Sequence, residues 1–279
     1  MRRPLLATTS VLLLTALGAC SGGAAPSSSA PATSSAATSA AAAAKLTNVT
    51  EFVTAVNAAM LAKKTVHLST AAADSRKPAE SAKTKTQLRF EEGGKVSSLL
   101  VAEDGEGKTT VVQLPTEFFL QTADNEKETP GKPWRQVKAG GDDLFSKVMT
   151  PVVVRMTEAS DPSRGIAHFG TAGQFDAPVP EQVDGVAATK YTITVDYAKV
   201  VAATTDKFVK GNFESKIKLN RSALKHEVWL DANNLPLRWR ATESGKVEFT
   251  STVDAKFQDW GKPVEIAAPP AAQIGVSAG

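Results

Sequence analysis

The stretch Lys190-Tyr-Thr-Ile-Thr-Val-Asp196 alternates apolar and polar side chains without a break. Tyr191, Ile193, Val195 and Tyr197 fall on one face of an extended chain, and Lys190, Thr192, Thr194 and Asp196 fall on the other. A helical period would scatter these residues around a cylinder, whereas a period of two sorts them into a buried face and a wet one. Clean alternation of this kind belongs to antiparallel sheets covered on one side only. It recurs in SALKHEVWLDANNLPLRWRATESGKVEFTSTVDAKFQDWG, where Val247, Phe249, Ser251, Val253, Ala255 and Phe257 share a face. Turn residues Asp-Ala-Asn-Asn and Glu-Ser-Gly-Lys separate its strands. Upstream, KTVHLSTAA and the run from Lys83 to Glu126 read as strands interrupted by Glu-Gly-Gly, Asp-Gly-Glu-Gly and Leu-Pro, the punctuation of a meander.

Two segments carry the helical period instead. Val49, Phe52, Val53, Val56 and Met60 form one apolar stripe, with Asn48 and Glu51 as a cap pair. Leu144, Phe145, Val148, Val152 and Met156 form another, opened by Asp142 and Asp143 and interrupted by Pro151. The expected fold is α+β: a strongly bent antiparallel sheet of about eight to eleven strands, a half-barrel, with two or three helices on its concave side. Such a sheet with a helical cover can enclose apolar space. The alternation nominates Tyr191, Ile193, Val195, Leu237, Trp239, Val247, Phe249 and Val253 as residues lining it. Of the other tryptophans, Trp229 shares a face with Glu227 and Asp231 and is expected outside, packed against a turn.

The single cysteine, Cys20, excludes an internal disulfide, and one Cys with scattered His67, His168 and His226 lacks the paired spacing of a zinc site. Its position explains it. Arg2 and Arg3 precede an apolar run from Leu5 to Leu17, and Gly18-Ala19 brings small residues up to the thiol. This is a secretory signal, too short to span a bilayer. Leu17-Gly-Ala-Cys20 resembles the bacterial lipobox, whose cysteine receives S-diacylglycerol and, after cleavage, an N-acyl group such as palmitate. Residues 1–19 are therefore read as a lipoprotein signal peptide. Residues 20–44 follow as the lipidated cysteine and a Ser/Ala/Pro/Thr tether, uncharged and free of large apolar groups, expected to be disordered with a reach of roughly 30 to 70 Å. Residues 45–279 form a single domain. Anchoring by two or more acyl chains is stable, which places the domain at the extracytoplasmic face of the plasma membrane, in the cell envelope.

Without Arg2 and Arg3 the chain holds 30 basic and 29 acidic side chains, so no strong field draws it to a polyanion. No basic stripe is interleaved with aromatics, which argues against nucleic acid. The densest basic stretch, Lys77 to Arg89, reads as a solvated strand and loop. Ser222-Ala-Leu-Lys225 matches the S-x-x-K of penicillin-recognising enzymes in letters only. It leads into a strand, and the companion S-D-N and K-T-G are missing. His226 reads as a surface strand residue. No catalytic residue, metal ligand or cofactor site is expected, and the domain is expected to be a monomer.

Four segments in series, DPSRGIAHFG before VDGVAATKYTITVD, then VWLDANNLPLRWR and FQDWGKPVEIAAP, together with the lipobox and tether, resemble the actinobacterial LppX/LprA/LprF/LprG lipoprotein family. The resemblance covers the whole of residues 45–279 and implies a half-barrel similar to the LolA/LolB carriers. It also implies a hydrophobic cavity for an acylated lipid or glycolipid, with a membrane transporter as a possible partner. The competing reading is a structural lipoprotein whose packed core docks an envelope partner. Replacing Cys20 by Ala should abolish incorporation of a clickable fatty acid while the melting temperature of the domain stays unchanged. Continued labelling of that variant would refute the anchor.

Overall fold

The computed structural model describes residues 45–75, 82–91, 95–104, 107–138, 141–160, 166, 169–205, 207–245 and 250–275. Cys20, the tether, His168, Val247 and Phe249 lie outside the described residues. Residues Ala40 to Gly279 form one compact unit with its own buried core.

The chain enters through helix α1 (Val49–Lys63). Asn48 Oδ1 accepts the Glu51 amide at 2.9 Å, and the Glu51 carboxylate turns back to the Thr47 amide at 2.9 Å, so the cap pair is closed one residue earlier than a standard capping box. A meander follows: β1 (Thr65–Asp74), β2 (Ala82–Phe90), β3 (Val96–Asp104), β4 (Gly107–Gln113), β5 (Glu117–Gln121), the short helix α2 (Ala123–Glu128) and β6 (Trp134–Lys138). Helix α3 (Leu144–Ser160) and the single turn α4 (Phe169–Ala172) cross to the second half. That half contains β7 (Gly173–Phe175), β8 (Val179–Val183), β9 (Val186–Asp196), α5 (Tyr197–Ala203), α6 (Lys207–Lys218), β10 (Arg221–Leu230), β11 (Pro236–Gly245) and β12 (Thr250–Gln258). The tail ends in the two-residue strand β13 (Ile274–Gly275).

The thirteen described strands make one sheet in the order β13-β6-β5-β4-β3-β2-β1-β12-β11-β10-β9-β7, with β8 also on β9. Every pairing is antiparallel except β13 with β6. Two meanders are thus joined by one long-range seam, β1 with β12, in register from His67↔Gln258 to Asp74↔Ser251. Local chemistry sets the hairpins. Asp184 and Gly185 both have positive φ (50° and 83°), the backbone of a two-residue hairpin turn with right-handed twist. Asp231 Oδ1 accepts the amides of Asn233 (2.8 Å) and Leu235 (2.9 Å), fixing the turn between β10 and β11.

The α+β class and the curved, unclosed sheet match the expectation. The helix content exceeds it, because α4, α5 and α6 join α1 and α3. The reason at α5 is a cap. Asp196 ends β9, and its carboxylate accepts the amides of Ala198 (2.8 Å) and Lys199 (3.1 Å), turning the chain into a helix at Tyr197, where the alternation in sequence continues.

One buried charge cluster pins α5 and α6 to the sheet. Glu243 on β11, 7% exposed, accepts from the Tyr197 hydroxyl at 2.5 Å, Arg221 at 2.5 Å and Lys216 at 3.1 Å. Burial first, and then the Glu243 carboxylate, push the Tyr197 phenol far above its ordinary range, so it stays a donor. Lys216 also lies over the Tyr197 ring at 5.3 Å. Glu243→Ala would leave two cations facing each other without their counter-charge. Such a break typically costs about 3–5 kcal/mol, discounted here toward the lower end because Lys216 and Arg221 are partly exposed. Urea unfolding should report that loss, and hydrogen exchange should show α5 and α6 opening first.

Candidate functional site

Because facing residues are in register, the concave face can be read in rows across the strands. One row runs Phe257, Leu68, Thr86, Leu100, Val111, Leu120. The next runs Trp239, Ala255, Thr70, Thr84, Ala102, Thr109. A third runs Ala241, Val253, Ala72. The first row is large at both ends and polar at Thr86. The other two are small almost throughout.

That pattern divides the apolar interior. At one end, Phe52, Val56 and Met60 of α1 pack with Tyr191, Ile193, Val195, Val228 and Trp239 in a large cluster, closed by Phe169 of α4 and by Tyr197 and Val200 of α5. Aromatic pairs fill it: Phe52–Tyr191 at 5.3 Å, Phe175–Tyr191 at 5.7 Å and Phe169–Trp239 at 6.0 Å between ring centroids. At the other end Leu100, Val111, Phe118, Leu120 and Val137 pack beneath Val153 of α3, with Phe145 and Met149 beside it. Between the two lie Thr70, Thr84 and Thr86. Among the described residues the hydroxyls of Thr84 and Thr86 are buried without a hydrogen-bond partner, a state that costs about 1–3 kcal/mol each.

The candidates named from alternation therefore separate into three groups. Tyr191, Ile193, Val195 and Trp239 do face the concave side, buried to 3% exposure or less within the close-packed cluster. Val253 shares their face but sits in the small-residue rows, half-buried. Leu237 is a correction: it packs on the outer face with Trp229, Val183 and Ala188. The cause is a β-bulge. Trp229 pairs with Arg238 but Leu230 pairs with Pro236, so Leu237 is the extra residue and loses the parity it shares with Trp239 in sequence. Trp229 is outside as expected, yet only 6% exposed, because Glu181 accepts its indole N–H at 2.7 Å and Lys190 and Arg238 cover its ring.

The half-buried Ala72, Thr84, Ala102 and Val253 are small residues in adjacent rows of the concave face, a low strip or trough, and α3 reaches across to β1, β3 and β12. Asp143 caps α3 through the Ser146 amide at 2.8 Å. The stripe that faces the sheet is Phe145, Met149 and Val153, offset from the one expected, while Leu144 and Val148 are 70% and 59% exposed. Apolar residues lie all around this helix, so periodicity alone did not decide which would turn inward. Pro151 lies within α3 without ending it, and the helix runs on to Ser160.

His226, expected at the surface, is in the core, 2% exposed. Its Nδ1 accepts the indole N–H of Trp239 at 3.0 Å, and the Phe169 ring lies 4.7 Å away. The signal was available, since His226 shares the parity of Val228, but a polar residue among Lys225 and Glu227 resembled a wet position. Ser222 is the second residue of β10 and is exposed, not the head of a helix. Among the described residues no cluster of three or more His, Cys, Asp or Glu side chains could hold a metal ion. No described helix is long and apolar enough to cross a membrane.

An open, curved antiparallel sheet lined by helices on one face, with a divided apolar interior, defines an α+β half-barrel architecture. No family model and no curated protein matches this sequence. Among solved structures the chain is similar to LprF from Mycobacterium bovis, at 14% identity and a TM-score of 0.46, over 79% of this chain and 96% of that one. It is also similar to MucB in the MucA/MucB complex of Pseudomonas aeruginosa, at 13% identity and 0.37, over 81% of this chain and 59% of that one. A LolA superfamily protein from Nitrosomonas europaea follows, at 9% and 0.29, over 77% and 95%.

Burial, with a smaller contribution from Lys216, pushes the His226 imidazole down to about 3. The unfolded chain, with an ordinary value near 6.5, binds a proton that the folded state refuses. Stability is therefore full above about pH 6.5 and falls as the pH drops toward 3. The melting temperature should decline between pH 7 and 5, and His226→Gln, which still accepts from Trp239, should flatten that decline.

Proposed function

We propose that this protein is a lipid-anchored, extracytoplasmic binding protein for an acylated lipid, held to the membrane through Cys20 and a flexible tether. The observation that carries this reading is the trough. A sheet built only for stability would bring large side chains across its whole concave face, as it does from Tyr191 to Trp239. Here the middle strands present Ala72, Thr84, Ala102, Val253 and Ala255 beneath a helix seated mainly through Phe145, Met149 and Val153. Small floor residues leave a channel as wide as an acyl chain if α3 lifts by a few ångströms. The apolar cluster under α3 would receive methylenes at about 0.8 kcal/mol each, close to what the bilayer offers. Binding by passive exchange needs no chemistry and no cofactor. The hydroxyls of Thr84 and Thr86 fit a ligand with an ester or hydroxyl group near its chain.

A second reading has its own observation: Leu144 and Val148 stand exposed on successive turns of α3. They suit a protein that docks an envelope partner with α3 seated.

Two substitutions separate the readings in the soluble 40–279 body. Val195→Trp, in the packed cluster, should destabilise by about 1–3 kcal/mol. Thr84→Trp, in the trough, should keep the melting temperature within a few degrees and remove co-purified lipid seen by mass spectrometry of organic extracts. Wild-type protein free of lipid, with both variants equally destabilised, would overturn the carrier reading in favour of docking.

A further inference from the structure

The face of the sheet opposite the trough holds a second feature. A groove of about 580 Å³ opens on the outer side of β1, β2, β3, β11 and β12, within the size range of small-molecule sites. Its shape follows from residue size. Ser69 and Ala71 occupy successive outward positions of β1 and make a low floor, and Val101 on β3 lies beyond Lys85. Long side chains from the flanking strands, Lys83 and Lys85 on β2, Arg238 on β11 and Lys256 on β12, rise as walls. Four cations and two acids, Glu103 and Asp254, line it.

The acids do not neutralise it evenly. Asp254 is held by Arg238 (2.8 and 2.5 Å) and also by Arg240 (3.0 and 2.8 Å). Burial alone would raise the Asp254 carboxyl, but these hydrogen bonds hold it below the usual range, so it stays charged and the pair forms a fixed wall. Lys256 reaches Asp184 in the β8–β9 turn at 2.9 Å. Glu103 lies across from Lys83. Lys85 stands between Ser69 and Val101, so neither of its cross-strand neighbours is acidic. The positive charge left over is centred on Lys85, which with Lys256 flanks Ser69 across the strands, and Lys83 stands two residues along β2, facing Ala71 and Glu103. In sequence Lys83 and Lys85 belong to the densest basic stretch, which by composition is a solvated strand. The sheet brings them across β1 from Lys256 and Arg238, more than 150 positions further along the chain.

We propose that this outer groove binds a phosphate-bearing group, with Lys83 and Lys85 as its cationic contacts and Ser69 as a hydroxyl donor on the floor. Two ammonium groups and a hydroxyl suit a multiply charged oxyanion, and the volume exceeds that of a lone ion, so the phosphate would be carried on a glycerol or sugar. Such a group occurs in lipid headgroups and in soluble phosphorylated molecules alike. Thr70 and Thr84 of the concave rows also border the groove, but the lysines proposed as its contacts take the opposite parity on β2, so their substitution tests this site and not the trough.

The test uses the 40–279 body at low salt. Calorimetry with glycerol 1-phosphate probes the soluble source, and co-sedimentation with phosphatidylcholine vesicles, with and without phosphatidylglycerol, probes the headgroup source. Binding to either probe should weaken about tenfold or more in Lys83→Gln/Lys85→Gln and on raising the salt, while Lys199→Gln, exposed elsewhere, leaves it unchanged. Ser69→Trp, which fills the floor without removing charge, should also weaken it. Absence of binding to both probes, or binding that survives the double substitution in a folded protein, would overturn the proposal.

Discussion

The pairing of β1 with β12 holds this molecule together. Each meander alone has local hairpins, but the two become one sheet only where His67 to Asp74 lies alongside Ser251 to Gln258. That contact closes a loop of nearly the whole domain, the kind of non-local pairing that folds late and slowly. It sets Phe257 beside Leu68 and Ala255 beside Thr70, so the large cluster and the trough share a border at this seam. Helix α1 then lies against the completed face with Phe52, Val56 and Met60 fully inserted.

The two faces at this seam illustrate how residue size shapes a sheet. On the concave side Thr70, Ala72 and Ala255 keep the surface low and leave α3 without a deep socket. On the outer side Ser69 and Ala71 keep it low again, and long charged neighbours frame the groove. Elsewhere the outer face is covered: the tail from Lys262 to Ile274 crosses it, with Ile266 packed on Val112 and Phe119 and the Glu265 amide donating to Gln87.

Polar groups inside the fold are matched with unequal care. Glu243 gathers three donors, and His226 is oriented by Trp239. Both lie where helices meet the sheet, and both restrict how those helices can sit. Thr84 and Thr86 lie under α3 with no such partner. The contrast distinguishes the end of the concave face under α1, α4, α5 and α6, where buried polar groups are paired, from the strip by α3, where two buried hydroxyls are not.

Alternation and turn chemistry by themselves determined the α+β class, the strand-rich halves, the cap at Asn48 and the concave orientation of Tyr191, Ile193, Val195 and Trp239, because a period of two and a capping side chain act within a few residues. Three features lay beyond that reach. The bulge that turns Leu237 outward depends on how β10 and β11 pair, since parity holds only while register does. The burial of His226 depends on Phe169 and Trp239 arriving from distant segments to surround it. The trough and the outer groove exist only because β1 meets β12, which places small residues from separate strands in adjacent rows and lysines beside arginines. Local sequence sets which side of a strand a residue takes; tertiary pairing decides what stands next to it, and binding depends on the neighbours.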